Sequence, residues 1–339
     1  MTVKTGILLM NLGGPTTLAE VEPFLVRMFS DKSFIPIPFN LGPKIARIRA
    51  RTSVQKQYSA IGFSPLSKWT NIQGQQLVSI LDKTLPESAP HKFYKCFRYS
   101  SPLTDEAISE LKNDKVKQVI AFTQYPHYSC ATTGNALREV LNHVSPDMEL
   151  STISRWGDHP AFINFWVETI KSHLASFANP EKVVLAFTAH SIPAKVAWSG
   201  DRYPIEISTS VNLISSYFGN ESHLFWQSKV GFQQWLEPNT HKALLSLGEQ
   251  GKKDVLIIPI AFTQDHLETL YELDKLYIEE CNGKGMNVKR TPGPNDNPLF
   301  ISALATIVKE HILHKKHSKI PRCAHCKHPE VCKSLDRFN

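Results

Sequence analysis

Short uncharged runs rich in β-branched and large apolar residues recur along the chain. Polar residues and a helix-spaced pattern follow most of them. Residues 255–262, VLIIPIAF, are the clearest run. Eight uncharged positions predict a strand covered on both faces, as in a parallel sheet. The character changes at Gln264, Asp265 and His266, after which Leu270, Leu273 and Tyr277 mark one apolar helix stripe. Similar runs predict strands at 6–10, 91–99, 119–122, 183–188 and 223–226. Helical spacing appears at 18–29, 102–111, 134–141, 160–177, 204–218 and 298–314. Alternating strands and helices predict a parallel α/β architecture.

One phrase repeats. Ala121-Phe122-Thr123-Gln124 returns as Ala261-Phe262-Thr263-Gln264, and Ala186-Phe187-Thr188-Ala189-His190 is a third near-copy. Three similar strand-to-loop junctions point to one unit used repeatedly, as in a duplicated domain. The plainer reading is that these residues simply end strands well. The loop at 155–160 marks a boundary, giving domains at 1–150 and 151–315 and a tail at 316–339.

Two segments break the alternation. Residues 33–43, SFIPIPFNLGP, are uncharged and interrupted by prolines, which disfavour a regular helix or central strand. This is either a buried loop or an apolar lip that meets a membrane surface or covers an apolar ligand. We take the lip region to extend over about 33–64. Lys44, Arg47, Arg49 and Arg51 follow, which suits an anionic surface or a ligand with carboxylates. The tail reads CAHCKHPEVC at 323–332 and holds three of the six cysteines. Thiolates at C-x2-C with a third nearby bind zinc or iron–sulfur clusters. His325 and His328 allow Cys3His zinc; a cluster needs a fourth thiolate from Cys96, Cys130 or Cys281.

Composition narrows the classes. At 339 residues the chain has room for two domains. A net charge of +7 is spread along the chain, and no nucleic-acid module appears. No run reaches the roughly 18–20 apolar residues of a membrane span. The first strand starts so early that no leader peptide is expected, so the chain is cytoplasmic or already processed. The turn Gly13-Gly14-Pro15 carries neither a dinucleotide nor a Walker pattern.

Candidate chemistry gathers at strand ends. His190 follows one buried run, and Asp265, His266, Glu268 and Glu272 follow another. Open α/β sheets bind ligands at the carboxyl ends of their strands. Glu268 and Glu272, four apart, share a helix face, where like charges cost a little stability. A histidine opposite a carboxylate can remove protons or hold a divalent metal; the plainer reading is a structural histidine beside a solvated acidic face.

Long stretches resemble the ferrochelatase family: MNLGGP at 10–15, Gln57-Tyr58, FRYSSPLT at 97–104, AFTQYPHYSCATTG at 121–134, TAHSIP at 188–193, WQSKVG at 226–231 and PIAFTQDHLETLYELD at 259–274. The resemblance implies two similar Rossmann-like, chelatase-type domains, each a parallel sheet flanked by helices, with a Cys-rich C-terminal extension as in cluster-bearing eukaryotic members. It implies insertion of ferrous iron, as substrate, into protoporphyrin IX, releasing two protons, without an organic cofactor. His190 matches the family's active-site histidine and Glu268 its partner acid, with Asp265, His266 and Glu272 in the acidic series. His159 matches a histidine given a functional role, although its loop reads as structural. Arg51, Tyr58 and Ser64 match residues near the porphyrin propionates, and Met10, Asn11, Leu12, Arg98 and Trp235 match pocket walls. Cys130, Cys323, Cys326 and Cys332 match the ligands of a 2Fe-2S cluster. The resemblance further implies a homodimer held peripherally on the matrix side of the mitochondrial inner membrane. The tail spacing C-x2-C-x5-C is one residue longer than in animal members, and the turn at 61–64 is shorter. Competing readings are a chelatase for another metal or porphyrin such as coproporphyrin, a non-catalytic tetrapyrrole carrier, and an iron–sulfur sensor.

Overall fold

The computed structural model describes residues 3–35, 37–229, 233–314 and 335, apart from the side chain of residue 38. These fall in two compact units, each built on its own four-stranded parallel sheet.

The first unit runs to residue 155 and includes the helix Pro298–His314. Its strands are β1 (Thr5–Asn11), β2 (His91–Phe97), β3 (Gln118–Thr123) and β4 (Glu149–Ile153), in the order β2-β1-β3-β4. Every residue of β1 is buried, as a central strand with both faces covered requires. The helices Thr104–Asn113 and Asn135–His143 close one face around Leu8, Met10, Tyr94 and Val119, and Leu335 sits in the same cluster. Helix Leu66–Thr84 packs on β2, and Pro298–His314 packs on that helix. His311 Nε2 lies 2.9 Å from Ser151 Oγ on β4. The sequence grouped 298–314 with the second domain. Periodicity reports that a helix face is buried, but not against what.

The second unit spans residues 156–295. Its strands are β5 (Val184–His190), β6 (Ser222–Gln227), β7 (Asp254–Ile258) and β8 (Asn287–Arg290), in the order β6-β5-β7-β8. The two sheets share one strand order, as a duplicated unit predicts. The repeated phrase is not equivalent in its three positions, however. Ala121-Phe122-Thr123 ends β3 and Ala186–His190 ends β5, whereas β7 stops at Ile258 and Ala261-Phe262-Thr263 lie beyond it, outside the strand. Pro259 has no N–H to extend the ladder, and Ile260 N instead donates to Thr188 O at 3.1 Å. The strand expected over 255–262 is therefore shorter by its last four residues.

β4 and β8, edge strands with sequences ELSTI and NVKR, lack an uncharged run and escaped the sequence reading. So did helix Leu66–Thr84. Its Gly74 lets the Phe93 ring approach to where a Cβ would meet it at 2.2 Å.

The Gly13 turn is filled by protein. Gly13 has φ +80°, and a Cβ there would lie 2.2 Å from Ser100 Oγ, which accepts from Gly14 N at 3.0 Å. In the lip, Phe39 is 90% exposed and Leu41 and Ile48 are also exposed. Among the described residues, no helix is long and apolar enough to cross a membrane.

Candidate active site

The second sheet delivers the titratable groups. His190 is the last residue of β5. Its Nδ1 lies 2.6 Å from Ser191 O. A carbonyl only accepts, so Nδ1 carries the hydrogen and the neutral ring presents the Nε2 lone pair. That atom faces Glu268 Oε1 at 3.5 Å. Tyr203 OH donates to His190 O at 3.0 Å. The following loop pairs with 234–236 through Ala194 N to Gln234 O (2.9 Å) and Leu236 N to Ile192 O (3.2 Å). This pairing brings Trp235 to 6.5 Å from the His190 ring, edge-on. The Trp235 indole N–H is buried with no hydrogen-bond partner among the described residues.

Beyond β7 the chain turns and enters a π-helix, Glu268–Ile278. The sequence pattern predicts a helix here but not its wider i→i+5 winding, which is rare and concentrates at functional sites. Glu268 opens it. The backbone carbonyl of Glu268 accepts from Gln227 Nε2 at 3.2 Å, and Gln227 Oε1 accepts from Thr188 Oγ1 at 3.2 Å. The π-helix is thus fastened to the ends of β5 and β6. His266 Nδ1 donates to Gln264 O at 3.2 Å, leaving its Nε2 3.6 Å from Glu268 Oε2. Both carboxylate oxygens therefore face the acceptor nitrogen of a histidine, an arrangement that a proton or cation completes. Glu272 accepts from Ser228 N (2.9 Å), from Ser228 Oγ (2.6 Å) and from Tyr277 OH. Ser228 adopts φ +60°, and this turn aims its N–H and hydroxyl at one carboxylate.

These surroundings push the two acids apart. Burial raises the Glu268 pKa, but positive charge on the facing His190 and His266, when their rings are protonated, more than reverses this and holds it below the ordinary value. Burial and the nearby Glu268 charge raise Glu272, and the Ser228 and Tyr277 hydrogen bonds only partly offset them. Pairs of titratable groups separated in this way mark acid–base roles. Among the described residues, no group of three or more His, Cys, Asp or Glu is arranged to hold a metal ion.

The Ferrochelatase family model matches residues 4–312. The chain belongs to the ferrochelatase family. A Xenopus laevis protein named mitochondrial ferrochelatase is 43% identical, across 99% of this chain and 85% of that protein. Its Homo sapiens counterpart is 42% identical, across 99% and 83%. Among solved structures, the sirohydrochlorin chelatase SirB from Bacillus subtilis subspecies spizizenii aligns at TM-score 0.51 with 11% identity, across 91% of this chain and 94% of that chain. CbiX, described as the terminal enzyme of siroheme biosynthesis in denitrifying bacteria, aligns at 0.51 with 10% identity, across 90% and 98%. At these identities the likeness concerns the fold.

The remaining residues assigned through the ferrochelatase resemblance divide clearly. Asp265 is engaged away from His190: Oδ1 pairs with Arg290 Nη1 at 3.0 Å, and Oδ2 accepts from Asn295 Nδ2 (2.8 Å) and Gly293 N (3.2 Å). His159 caps helix Pro160–Leu174, its Nδ1 accepting from Ala161 N at 3.2 Å. In the first unit, Met10 is fully buried in the core, while Leu12 is partly exposed past the end of β1. Arg98 is committed to Asp31 (2.9 Å), Asn135 (2.6 Å) and Glu139 (3.5 Å). Tyr58 and Ser64 are buried, and Arg51 is exposed beside Glu22 at 3.4 Å. Cys130 opens the π-turn Cys130–Gly134, and its Sγ accepts from Arg138 Nη1 at 3.6 Å. Cys323, Cys326 and Cys332 lie outside the described residues. In the sequence Gln227 and Ser228 lie in the 226–231 motif without a role, and Tyr277 falls only on the apolar stripe. The signal for Tyr277 was its position five residues after Glu272, which a 3.6-residue helix does not align.

Proposed function

We propose that the protein inserts ferrous iron into protoporphyrin IX to form protohaem, the last step of haem biosynthesis. The observation that carries this reading is the His190 Nε2–Glu268 pair, with its donors and acceptors already fixed. The reaction replaces two pyrrole N–H protons by Fe2+, so the protein must supply proton acceptors. His190 Nε2 takes a proton directly. The resulting imidazolium faces Glu268 at 3.5 Å, an attraction of about 5 kcal/mol at an effective dielectric near 20. Glu272, four residues along the same helix, receives the proton next. Iron is the substrate, and the same acids favour the approach of a dication.

The residues present fit a 2Fe-2S cluster. Such a cluster takes four cysteine thiolates, and Cys130, Cys323, Cys326 and Cys332 would supply them. The Arg138 guanidinium donates to the Cys130 sulfur and complements negative charge there. Leu335, three residues past Cys332, is buried in one cluster with Tyr128, Ala136 and Leu137, all within seven residues of Cys130 in sequence. A bound cluster supplies a one-electron couple and a covalent tie between the chain end and this turn. The relatives' naming supports a mitochondrial location. The exposed Phe39, Leu41 and Ile48 beside Lys44, Arg47 and Arg51 support peripheral attachment to an anionic membrane surface; its placement on the matrix side of the inner membrane is proposed from the family resemblance. A homodimer is proposed from the family resemblance, and sedimentation tests it.

Anaerobic mixing with ferrous iron and protoporphyrin should convert the free-base spectrum to that of haem, and His190→Ala should abolish the conversion. Tight porphyrin binding without turnover by the unaltered protein would refute the enzyme reading in favour of a carrier. Preference for coproporphyrin would correct the substrate.

A further inference from the structure

One carboxylate gathers the chain at the root of the apolar lip. Asp31 follows helix Leu18–Ser30 directly. Its Oδ1 accepts from Ser33 N (3.0 Å) and Ser33 Oγ (2.6 Å), and its Oδ2 accepts from Arg98 Nη2, Tyr99 OH and Asn135 Nδ2, each at 2.9 Å. Asn135 Nδ2 also donates to Ser33 Oγ at 2.5 Å, and Arg98 Nε donates back to Asn135 Oδ1 at 2.6 Å. Asp31 thus joins the lip root, the carboxyl end of β2 and the first residue of helix Asn135–His143. Its side chain is 15% exposed and that of Arg98 is 16% exposed. Burial alone would raise the Asp31 pKa, but the hydrogen bonds from Ser33, Asn135 and Tyr99 and the Arg98 charge hold it at about 2.

The apolar loop at 33–43, with which the lip begins, is fixed to the same helix at its other end. A Cβ on Gly42 would lie 1.9 Å from Phe29 O, so the backbone there touches the end of helix Leu18–Ser30. Between the two attachments, Phe34 packs against the Tyr99 ring at 5.5 Å, while Phe39 and Asn40 stand exposed with φ +56° and +52°. This first part of the lip is a loop attached at both ends to one helix, and its tip is held by little else among the described residues. The direction of such a loop is set at its root.

We propose that Asp31 is a positioning residue for porphyrin binding, and that Arg98 serves the lip through Asp31. This rests on the reading of residues 33–43 as the cover of an apolar tetrapyrrole. The alternative is that the network only adds stability. It predicts a lower melting point with unaltered substrate affinity, because the bonds would then matter only to folding. Convergence of the donors on residues 31 and 33, outside the sheet core, favours positioning. Arg98, Tyr99 and Asn135 all donate to the one Asp31 oxygen, so removing the charge leaves them competing for new partners and the root without a fixed direction.

Asp31→Asn in the full chain is the test. Protoporphyrin affinity is read by fluorescence quenching without iron, KM and kcat by anaerobic turnover, and lip exposure by the rate of chymotryptic cleavage after Phe34 or Phe39. The expected result is a rise of about tenfold in Kd and KM, the size of one lost interaction, with kcat within about twofold and faster lip cleavage. Asp31→Glu, which keeps the charge, should recover part of the affinity. Should Asp31→Asn fail to fold, Ser33→Ala removes only the hydroxyl and should shift Kd and cleavage the same way by a smaller factor. Unchanged Kd and cleavage in a folded variant would overturn the proposal, as would lost kcat at constant KM. If the unaltered protein binds porphyrin but does not turn it over, the affinity and cleavage readouts still decide the role of Asp31.

Discussion

Tyr277→Phe isolates one hydrogen bond to Glu272. The ring remains, and with it the stack on His241 at 4.8 Å and 9°, so only the hydroxyl is lost. Glu272 is then left with its two Ser228 donors. A hydrogen bond to a charged group is worth about 1.5–3 kcal/mol, and about 1.36 kcal/mol corresponds to one pH unit. Glu272 is only partly buried, so the lower end applies, and a shift of about one pH unit is expected. Its sign follows from what the hydroxyl stabilises. Tyr277 donates to the carboxylate and lowers a pKa that burial and Glu268 have already raised. Deleting the donor raises it further. Activity that needs ionised Glu272 is lost below this pKa, so the acid limb of the kcat profile should move up by about one unit while the basic limb stays in place. Ser228→Gly keeps the left-handed backbone and its N–H but removes the hydroxyl, and it should move the limb the same way. The assay is anaerobic turnover across pH, with the carboxyl infrared band titrated directly. An acid limb that stays still or moves down, in protein of normal melting temperature, would refute the reasoning.

Two further outcomes follow from groups outside the proton path. Asp265→Ala leaves Arg290, 9% exposed, with Asp274 as its remaining acidic partner. Asp274 still neutralises Arg290, so the loss is of hydrogen bonds to a charged group, about 1.5–3 kcal/mol, and the denaturation midpoint should fall while the pH profile of residual activity keeps its shape; chemistry lost at full stability would instead place Asp265 in catalysis. The Asp31 pKa falls from 3.8 to about 2 on folding, which corresponds to about 2 kcal/mol of stability. That contribution is present above pH 3.8 and disappears as pH falls through 2, so Asp31→Asn should be less stable than the unaltered chain in urea at pH 7 and converge with it near pH 2; a constant gap would contradict this.

The sequence exposed those parts of the molecule that rest on burial from both faces. β1, β3, β5 and β7 announce themselves as uncharged runs because a central parallel strand has no solvated side. The edges β4 and β8 do not, since their half-exposed positions tolerate Glu149, Asn287 and Lys289. At the site, His190, Glu268 and Glu272 were visible as polar residues at strand ends. Their hydrogen-bond supports were less so. Ser228 acts through a backbone angle, Tyr277 through a helix winding that no side-chain pattern encodes, and Asp31 through Asn135, 104 positions away. Such contacts come from the folded chain path, and neither periodicity nor spacing reports them.

The paired acids explain why a costly arrangement is kept. Two glutamates four apart on one helix repel each other. The fold answers by giving each a different environment: Glu268 faces two imidazoles, and Glu272 faces the Glu268 charge and three hydrogen-bond donors. The pKa of Glu268 falls and that of Glu272 rises. On the proposed path, a proton leaving His190 passes Glu268, which His266 still faces, and moves on to Glu272, whose pKa is raised. Glu268 is left anionic, able to stabilise the next imidazolium or face an arriving dication. The reaction requires two protons to leave as one dication enters. On the proposed path, a Glu268 that passes protons onward without holding them would serve both needs, with the repulsion between the pair setting the direction.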